Sequence, residues 1–259
     1  MGRAMLKKRI IPMLLLSQGR MVKGKQFSAF RDTGDPVSAA RIYNAQFADE
    51  LVFLDVDANR QGSDFEQLLN LIDKVSSECF MPLSVGGGVN SVEQVRRLVQ
   101  SGADKVVITT AALENPGLIN DASAIFGRQC IVVGLDVKRE DGAYRLYSHC
   151  GRHKTERELE EFIRDMTQRG AGEFIVNAVD RDGMMQGYDL EMIKCAKAVT
   201  DRPVLAAGGA GTFAHLTAAF QEANADAVVC ASIFHFGDNN PIRARSHLLN
   251  AGIPMKLIK

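Results

Sequence analysis

The stretch MPLSVGGGV at residues 81–89, followed by GADKVVITTAA at 102–112, returns later in the chain as RPVLAAGGAG at 202–211 and NADAVVCAS at 224–232. The offset is 121 to 122 residues, close to half of the 259. Each copy runs in the same order: a short apolar segment, a glycine cluster, a helical stretch, then a second apolar segment ending in Thr or Ser. Two further pairs keep a similar spacing. DELVFLD (49–55) resembles GEFIVNA (172–178), and IPMLLL (11–16) lies over VVGLDV (132–137). Self-similarity at a long fixed period marks an architecture built from repeated units.

Outward from these pairs, β-branched runs alternate with amphipathic stretches. Strands are predicted at Arg9–Leu16, Glu50–Asp55, Pro82–Val85, Lys105–Thr109, Cys130–Asp136, Glu173–Val179, Pro203–Ala207 and Ala227–Cys230. Helical patterns such as VEQVRRLVQSG (92–102) and ELEEFIRDMTQRG (158–170) lie between them. Eight strand–helix units in this length predict an α/β fold, a (β/α)8 TIM barrel built from two half-barrel repeats. Near-continuous apolar strands suit a parallel sheet covered by helices; a doubly wound open sheet is the other arrangement compatible with the pattern. A single barrel domain over residues 1–259 is expected. The polar stretch SQGRMVKGKQFSAFRDTGDP (17–36) reads as a loop, long enough after one strand to be a lid or binding loop.

Lys plus Arg is 31 and Asp plus Glu is 31, so the chain is formally neutral, without the electrostatic footprint of a nucleic-acid or anionic-membrane binder. No apolar run approaches the roughly 20 residues of a membrane span. MGRAMLKKRI lacks a signal-peptide apolar region, which points to the cytoplasm. Five scattered cysteines without a CxxC suit reduced thiols. The five histidines show no ligand spacing, so no metal and no cofactor is expected, and His235 reads as structural.

The glycine clusters Gly86-Gly87-Gly88 and Gly208-Gly209 each follow a strand and precede a helix. Glycine lets backbone N–H groups approach an anion, and a helix points its positive end there. Each cluster is paired with a hydroxyl-bearing strand end, Thr109-Thr110 in one half and Ala231-Ser232 in the other. Either cluster alone reads as a tight turn. Both together, at symmetry-related positions, predict two phosphate cradles and an elongated ligand carrying a phosphate at each end.

Four charges open strands: Arg9, Glu50, Lys105 and Glu173. Side-chain alternation puts each on the face of the apolar residues above it, Arg9 with Ile11 and Met13, Glu173 with Ile175. If that face points inward, two cations and two anions form a ring at the barrel floor, tolerable only if closed by ion pairs. Any one of them alone would read as a solvated strand end.

The segments KRIIPMLLLSQGRMVKG, RDTGDP, DELVFLDVDA, VGGGV, GADKVVITTAALENP, GLDVKR, GAGEFIVNAVDRDG, AAGGAG and ASIFHF resemble the cyclase subunit of imidazole glycerol phosphate synthase, almost end to end from Leu6 to about Gly237. The resemblance implies a glutaminase (HisH-type) partner that delivers ammonia through the barrel, and a doubly phosphorylated ligand. It makes the ring of Arg9, Glu50, Lys105 and Glu173 an ammonia gate, with Asp104 and Gln129 facing the glutaminase. By the same resemblance Asp136 is one of two catalytic aspartates. Lys23 is a lid lysine that meets a phosphate or the ligand ring, its other reading being a solvated loop charge. Asp55, Asp182 and Gly183 position substrate; the other reading of the 180–182 segment is a local turn in which Asp180 and Asp182 pair with Arg181. Asn177 and Met184 stand where the family more often has hydroxyls. The second catalytic aspartate should fall at Leu15, which the internal repeat also places over Asp136. Leucine moves no proton, and losing one general acid or base typically costs about 10²–10⁴ in rate. ECFMP at 78–82 and the Leu14–Leu16 run resemble a branch linked to surface-polysaccharide synthesis, where ammonia goes to a separate enzyme making an acetamidino sugar. The alternative is an authentic cyclase of histidine biosynthesis.

Overall fold

The computed structural model describes residues 7–58 and 64–256. The N-terminal residues 1–6, read above for a leader, lie outside the described residues. Twelve strands form one sheet: β1 (Arg9–Ser17), β2 (Arg20–Lys25), β3 (Ser28–Gly34), β4 (Leu51–Asp55), β5 (Leu83–Gly86), β6 (Lys105–Ile108), β7 (Ile131–Glu140), β8 (Ala143–Ser148), β9 (His153–Glu158), β10 (Glu173–Ala178), β11 (Val204–Ala207) and β12 (Ala227–Cys230). Eight of them, β1, β4, β5, β6, β7, β10, β11 and β12, pair in parallel, and the β10–β7 ladder closes the cylinder. Helices cover its outside, completing a (β/α)8 barrel. The internal repeat divides it evenly: β1, β4, β5 and β6 are one half, β7, β10, β11 and β12 the other.

Each of the eight barrel strands is apolar on both faces because each face has its own core. Ile10, Leu14 and Phe53 pack outward under the helices, while Ile11, Met13, Val52, Val107, Ile175 and Leu205 fill the interior. Helix ends follow local chemistry. Ser91 Oγ accepts from the Gln94 N–H, and Gln94 Oε1 accepts from the Asn90 N–H, a reciprocal cap that starts Val92–Gln100. Gly170, at φ 106°, ends Leu159–Arg169.

Residues 17–36 are not a loop. Gln18 and Gly19, at φ 50° and 73°, make a two-residue turn whose hand matches strand twist, and β2 folds back on β1 with Leu15 opposite Val22. β3 then pairs with β2. Arg20, Lys23 and Lys25 made the segment look polar, but Met21, Val22 and Lys23 are all buried. The second half carries the same device. β7 does not stop at Asp136 but runs to Glu140, turns through Asp141-Gly142, and continues as β8 and β9. Each half-barrel therefore extends its first strand into a hairpin above the mouth.

Candidate functional site

At the floor, the four strand-opening charges meet. Arg9 Nη1 lies 2.9 Å from Glu50 Oε2, and Arg9 Nη2 lies 2.9 Å from Glu173 Oε1. Lys105 Nζ lies 2.8 Å from Glu50 Oε2 and 3.0 Å from Glu173 Oε2. Each cation bridges both anions, so the ring is closed and its charges alternate. Ser84 Oγ adds a hydrogen bond to Glu50 Oε1 at 2.5 Å. The period-two pattern that predicted the ring works because parallel strands of equal tilt begin at one level. Nearby Asp104 accepts from the Leu83 N–H at 2.8 Å, tying β5 to the start of β6.

At the mouth, Leu15, Asp55, Gly87, Gly88, Thr109 and Thr110 share a pocket with Asp136, Asn177 and Asp182. Asp136 is recessed in it, and Asn177 Nδ2 donates to Asp136 Oδ1 at 3.3 Å. Burial pushes the Asp136 carboxyl up to about 7; the charge of Asp182 adds to the shift and the Asn177 amide opposes it. That value suits a group exchanging protons near neutrality. Leu15 lines the same pocket, as do the carboxylates of Asp55 and Asp182. Asp55 is turned onto backbone, accepting from the Asp57 N–H at 2.9 Å, with burial raising its carboxyl.

Asp182 is committed to Lys23, whose Nζ lies 2.8 and 2.9 Å from its two oxygens with both side chains buried. This corrects the solvated-charge reading of Lys23 and the local pairing of Asp182 with Arg181. The pair is a clasp. Gln26 N–H donates to the Asp182 carbonyl at 2.8 Å and Gln26 Nε2 to the Asp180 carbonyl at 2.8 Å, seating the β2–β3 hairpin on the segment after β10. Phe27 and Phe30 of that hairpin then roof the pocket. The volume left is about 140 Å³. A drug-sized ligand needs a few hundred Å³, more than the pocket leaves with the hairpin laid across it.

The two glycine clusters are separated in role. A Cβ on Gly87 would stand 2.5 Å from the Asp55 carbonyl oxygen, and one on Gly209 2.2 Å from that of Gly187. Tight packing alone therefore demands glycine at both. Gly87 and Gly88, with Thr109 and Thr110, line the pocket of Asp136. Gly208, Gly209, Ala231 and Ser232 do not line it. Ser232 Oγ is buried without a partner. Just before the helix beyond Gly209, the Gly211 and Thr212 N–H groups donate to His215 Nδ1 at 3.2 and 3.3 Å. Gly183 is also outside the pocket, pressed on the Gly24 backbone of the hairpin.

Sequence reading missed the second hairpin's contribution. His149 and Cys150, in its turn at φ 52° and 56°, and Glu114 also line the pocket. The Glu-Asp-Gly-Ala turn at 140–143 was the signal available, a hairpin dipeptide between alternating runs. Beside the clasp, His235 has both ring nitrogens buried and unpartnered; burial, then the charge of Lys23, lowers it to about 4.

A closed parallel barrel with an ion-paired floor, an apolar interior and a recessed acid under a hairpin roof defines a barrel that works at its C-terminal mouth. Residues 9–240 match the family model described as histidine biosynthesis protein. The imidazole glycerol phosphate synthase subunit HisF from each of two strains of Caulobacter vibrioides is 46% identical over 255 residues, covering 98% of this chain and 97% of the relative. The chain belongs to this histidine biosynthesis protein family and is of the HisF type. These matches favour the histidine-pathway reading over the surface-polysaccharide branch that ECFMP suggested. Among the described residues, no helix is long and apolar enough to cross a membrane.

Proposed function

We propose that the chain is the barrel subunit of a glutamine-dependent synthase of the imidazole glycerol phosphate synthase type, acting in the cytoplasm. A HisH-type glutaminase docks under the floor, and ammonia passes the ring of Arg9, Glu50, Lys105 and Glu173 into the apolar interior. A doubly phosphorylated ligand binds at the mouth. One phosphate lies against Gly87, Gly88, Thr109 and Thr110. The other reaches Gly208, Gly209, Ala231 and Ser232 once the hairpin lifts, exchanging the Lys23–Asp182 clasp for contact with the ligand. Asp136, near neutrality in its carboxyl, takes and returns the proton as ammonia adds and the imidazole ring closes. The observation that carries this reading is the closed charged ring below an interior that opens on Asp136.

A second reading is favoured by Leu15 alone: ammonia is received but handed to a separate amidination reaction. One assay separates the two. The purified subunit is mixed with the doubly phosphorylated ribosyl-formimino aminoimidazole carboxamide and excess ammonium salt at alkaline pH, and ligand loss is followed. With Asp136 as the one proton carrier, turnover is expected about 10²–10⁴ below that of a two-carboxylate cyclase, and Leu15→Asp should raise it. Binding without any turnover, unrescued by Leu15→Asp, would favour the second reading; absence of ligand binding would remove both.

A further inference from the structure

A second cavity, of about 360 Å³, lies between the base of the β2–β3 hairpin, the helix Pro36–Ala45 and the segment after β12. It shares no lining residue with the pocket of Asp136. Met21 and Thr33 come to it from the hairpin. Thr33 is the unpaired residue of a bulge, since Val22 pairs with Asp32 and Met21 with Gly34. Tyr43 and Phe234 form an aromatic corner in its wall, their ring centroids 6.3 Å apart and their planes tilted by 50°. Tyr43 is 7% exposed, and its hydroxyl makes no hydrogen bond among the described residues. A buried Tyr hydroxyl ordinarily finds a partner. No Lys or Arg lines the cavity among the described residues; its one ionised side chain is Asp238, exposed on the rim.

We propose that this cavity is an effector site for a phosphate-free ligand of nucleoside size with a planar heteroaromatic ring, which braces the β2–β3 hairpin in its lowered position when bound. The lining sets the chemistry. Tyr43 and Phe234 supply aromatic surface, while the Tyr43 hydroxyl and the Gln46 and Asn239 amides supply donors and acceptors for a ring edge. An anion finds no cation here and meets Asp238 instead, so a phosphate is turned away. The volume lies within the range of small-molecule sites. The hairpin connects this cavity to the mouth. Its base, at Met21 and Thr33, walls the cavity; its tip, at Phe27 and Phe30, roofs the pocket of Asp136. Between them Lys23 is held by Asp182. A ligand touching Met21 and Thr33 binds best where the hairpin is down, and it shifts the hairpin by that difference in affinity. The site stands whether or not the mouth carries cyclase chemistry.

The test uses the full chain with adenosine as the probe and AMP, the same ring and sugar with a phosphate added, as the control. Ile42 lies on the helix wall of the cavity, and its methyl resonances should move saturably with adenosine. AMP should need at least about tenfold more for half-saturation, because its charge is unanswered. Asp238→Asn should narrow that gap to about threefold. Tyr43→Phe keeps the ring and removes the hydroxyl, so half-saturation by adenosine should rise about fivefold, the worth of one hydrogen bond. Gln46→Ala, with a rise of about threefold, serves if the phenylalanine variant fails to fold. The Gln26 N–H, which donates to the Asp182 carbonyl, reports on the hairpin. Its hydrogen exchange should slow about threefold or more at saturating adenosine. No saturable movement of Ile42, or equal half-saturation by AMP and adenosine, would overturn the site. So would equal half-saturation in wild type and in both Tyr43→Phe and Gln46→Ala. Binding that leaves the Gln26 exchange rate unchanged would overturn the bracing.

Discussion

The two ends of this barrel treat polar groups in opposite ways. At the floor every charge is answered: Arg9 and Lys105 each bridge Glu50 and Glu173, and Ser84 takes the remaining Glu50 oxygen. At the mouth, Asn177 Oδ1, Ser232 Oγ and both ring nitrogens of His235 are buried without partners, and Asp136 is held far from its ordinary protonation behaviour. Native proteins satisfy the great majority of buried polar atoms. Towards the floor end Arg202 Nε and Arg245 Nε are also buried without hydrogen-bond partners, but the four-charge ring itself has no such exception. The ring is complete in itself; the polar groups around Asp136 are not.

The sharpest way to break this contrast is at Asp136. Asp136→Asn keeps the shape and the Asn177 contact but removes the proton carrier, so any cyclase turnover should fall by about 10²–10⁴. The same change should make the folded protein more stable at pH 8, since a buried carboxylate is no longer forced to ionise. Loss of rate with gain in urea midpoint is the signature of a functional rather than a structural carboxyl. If both fell together, Asp136 would belong with the floor.

Lys23→Met tests the clasp, the one part of the mouth that is saturated like the floor. It strands Asp182 in a buried site, so a loss of about 3–5 kcal/mol in urea unfolding is expected. Glu50→Gln at the floor should cost less, about 2 kcal/mol, because Arg9 and Lys105 keep some access to water and retain Glu173. A larger loss at Glu50 than at Lys23 would mean the floor, not the hairpin clasp, is the drier network.

These two sites also differ in how far the sequence revealed them. The floor ring was legible because it depends on one regularity, the alternation of side chains along strands that start level. The half-barrel repeat and the place of Leu15 opposite Asp136 in that repeat were legible for the same reason: both are properties of spacing. The clasp was not legible. Lys23 and Asp182 are 159 residues apart, and nothing in RMVKGK marks Lys23 as buried. Its partner is fixed only when the hairpin lies down across the mouth. The two cradles were read as a symmetric pair because glycine clusters at symmetric positions imply symmetric roles. In the folded chain Gly87 and Gly88 line the roofed pocket, whereas Gly208 and Gly209 pack against Ala178 and Gly187.

The smallest expected effect is a pair of opposed pH dependences inside the mouth. The Asp136 carboxyl moves from 3.8 to about 7 on folding, so between those values the native state holds more protons than the unfolded chain. Its contribution to stability is therefore full at low pH and is lost as pH rises toward 7. His235 moves from 6.5 down to about 4, so there the unfolded chain holds more protons, and stability is lost as pH falls through the same window. Allowing for solvent reaching both groups, each slope amounts to about 2–3 kcal/mol across the window, and together they leave about 1 kcal/mol or less. Urea unfolding from pH 4 to 7 should separate them. The stability difference between wild type and His235→Leu should shift in favour of wild type as pH rises, while the difference between wild type and Asp136→Asn should shift against wild type over the same range. Parallel curves for both variants would mean that neither group is buried as drawn, and the mouth would lose its distinction from the floor.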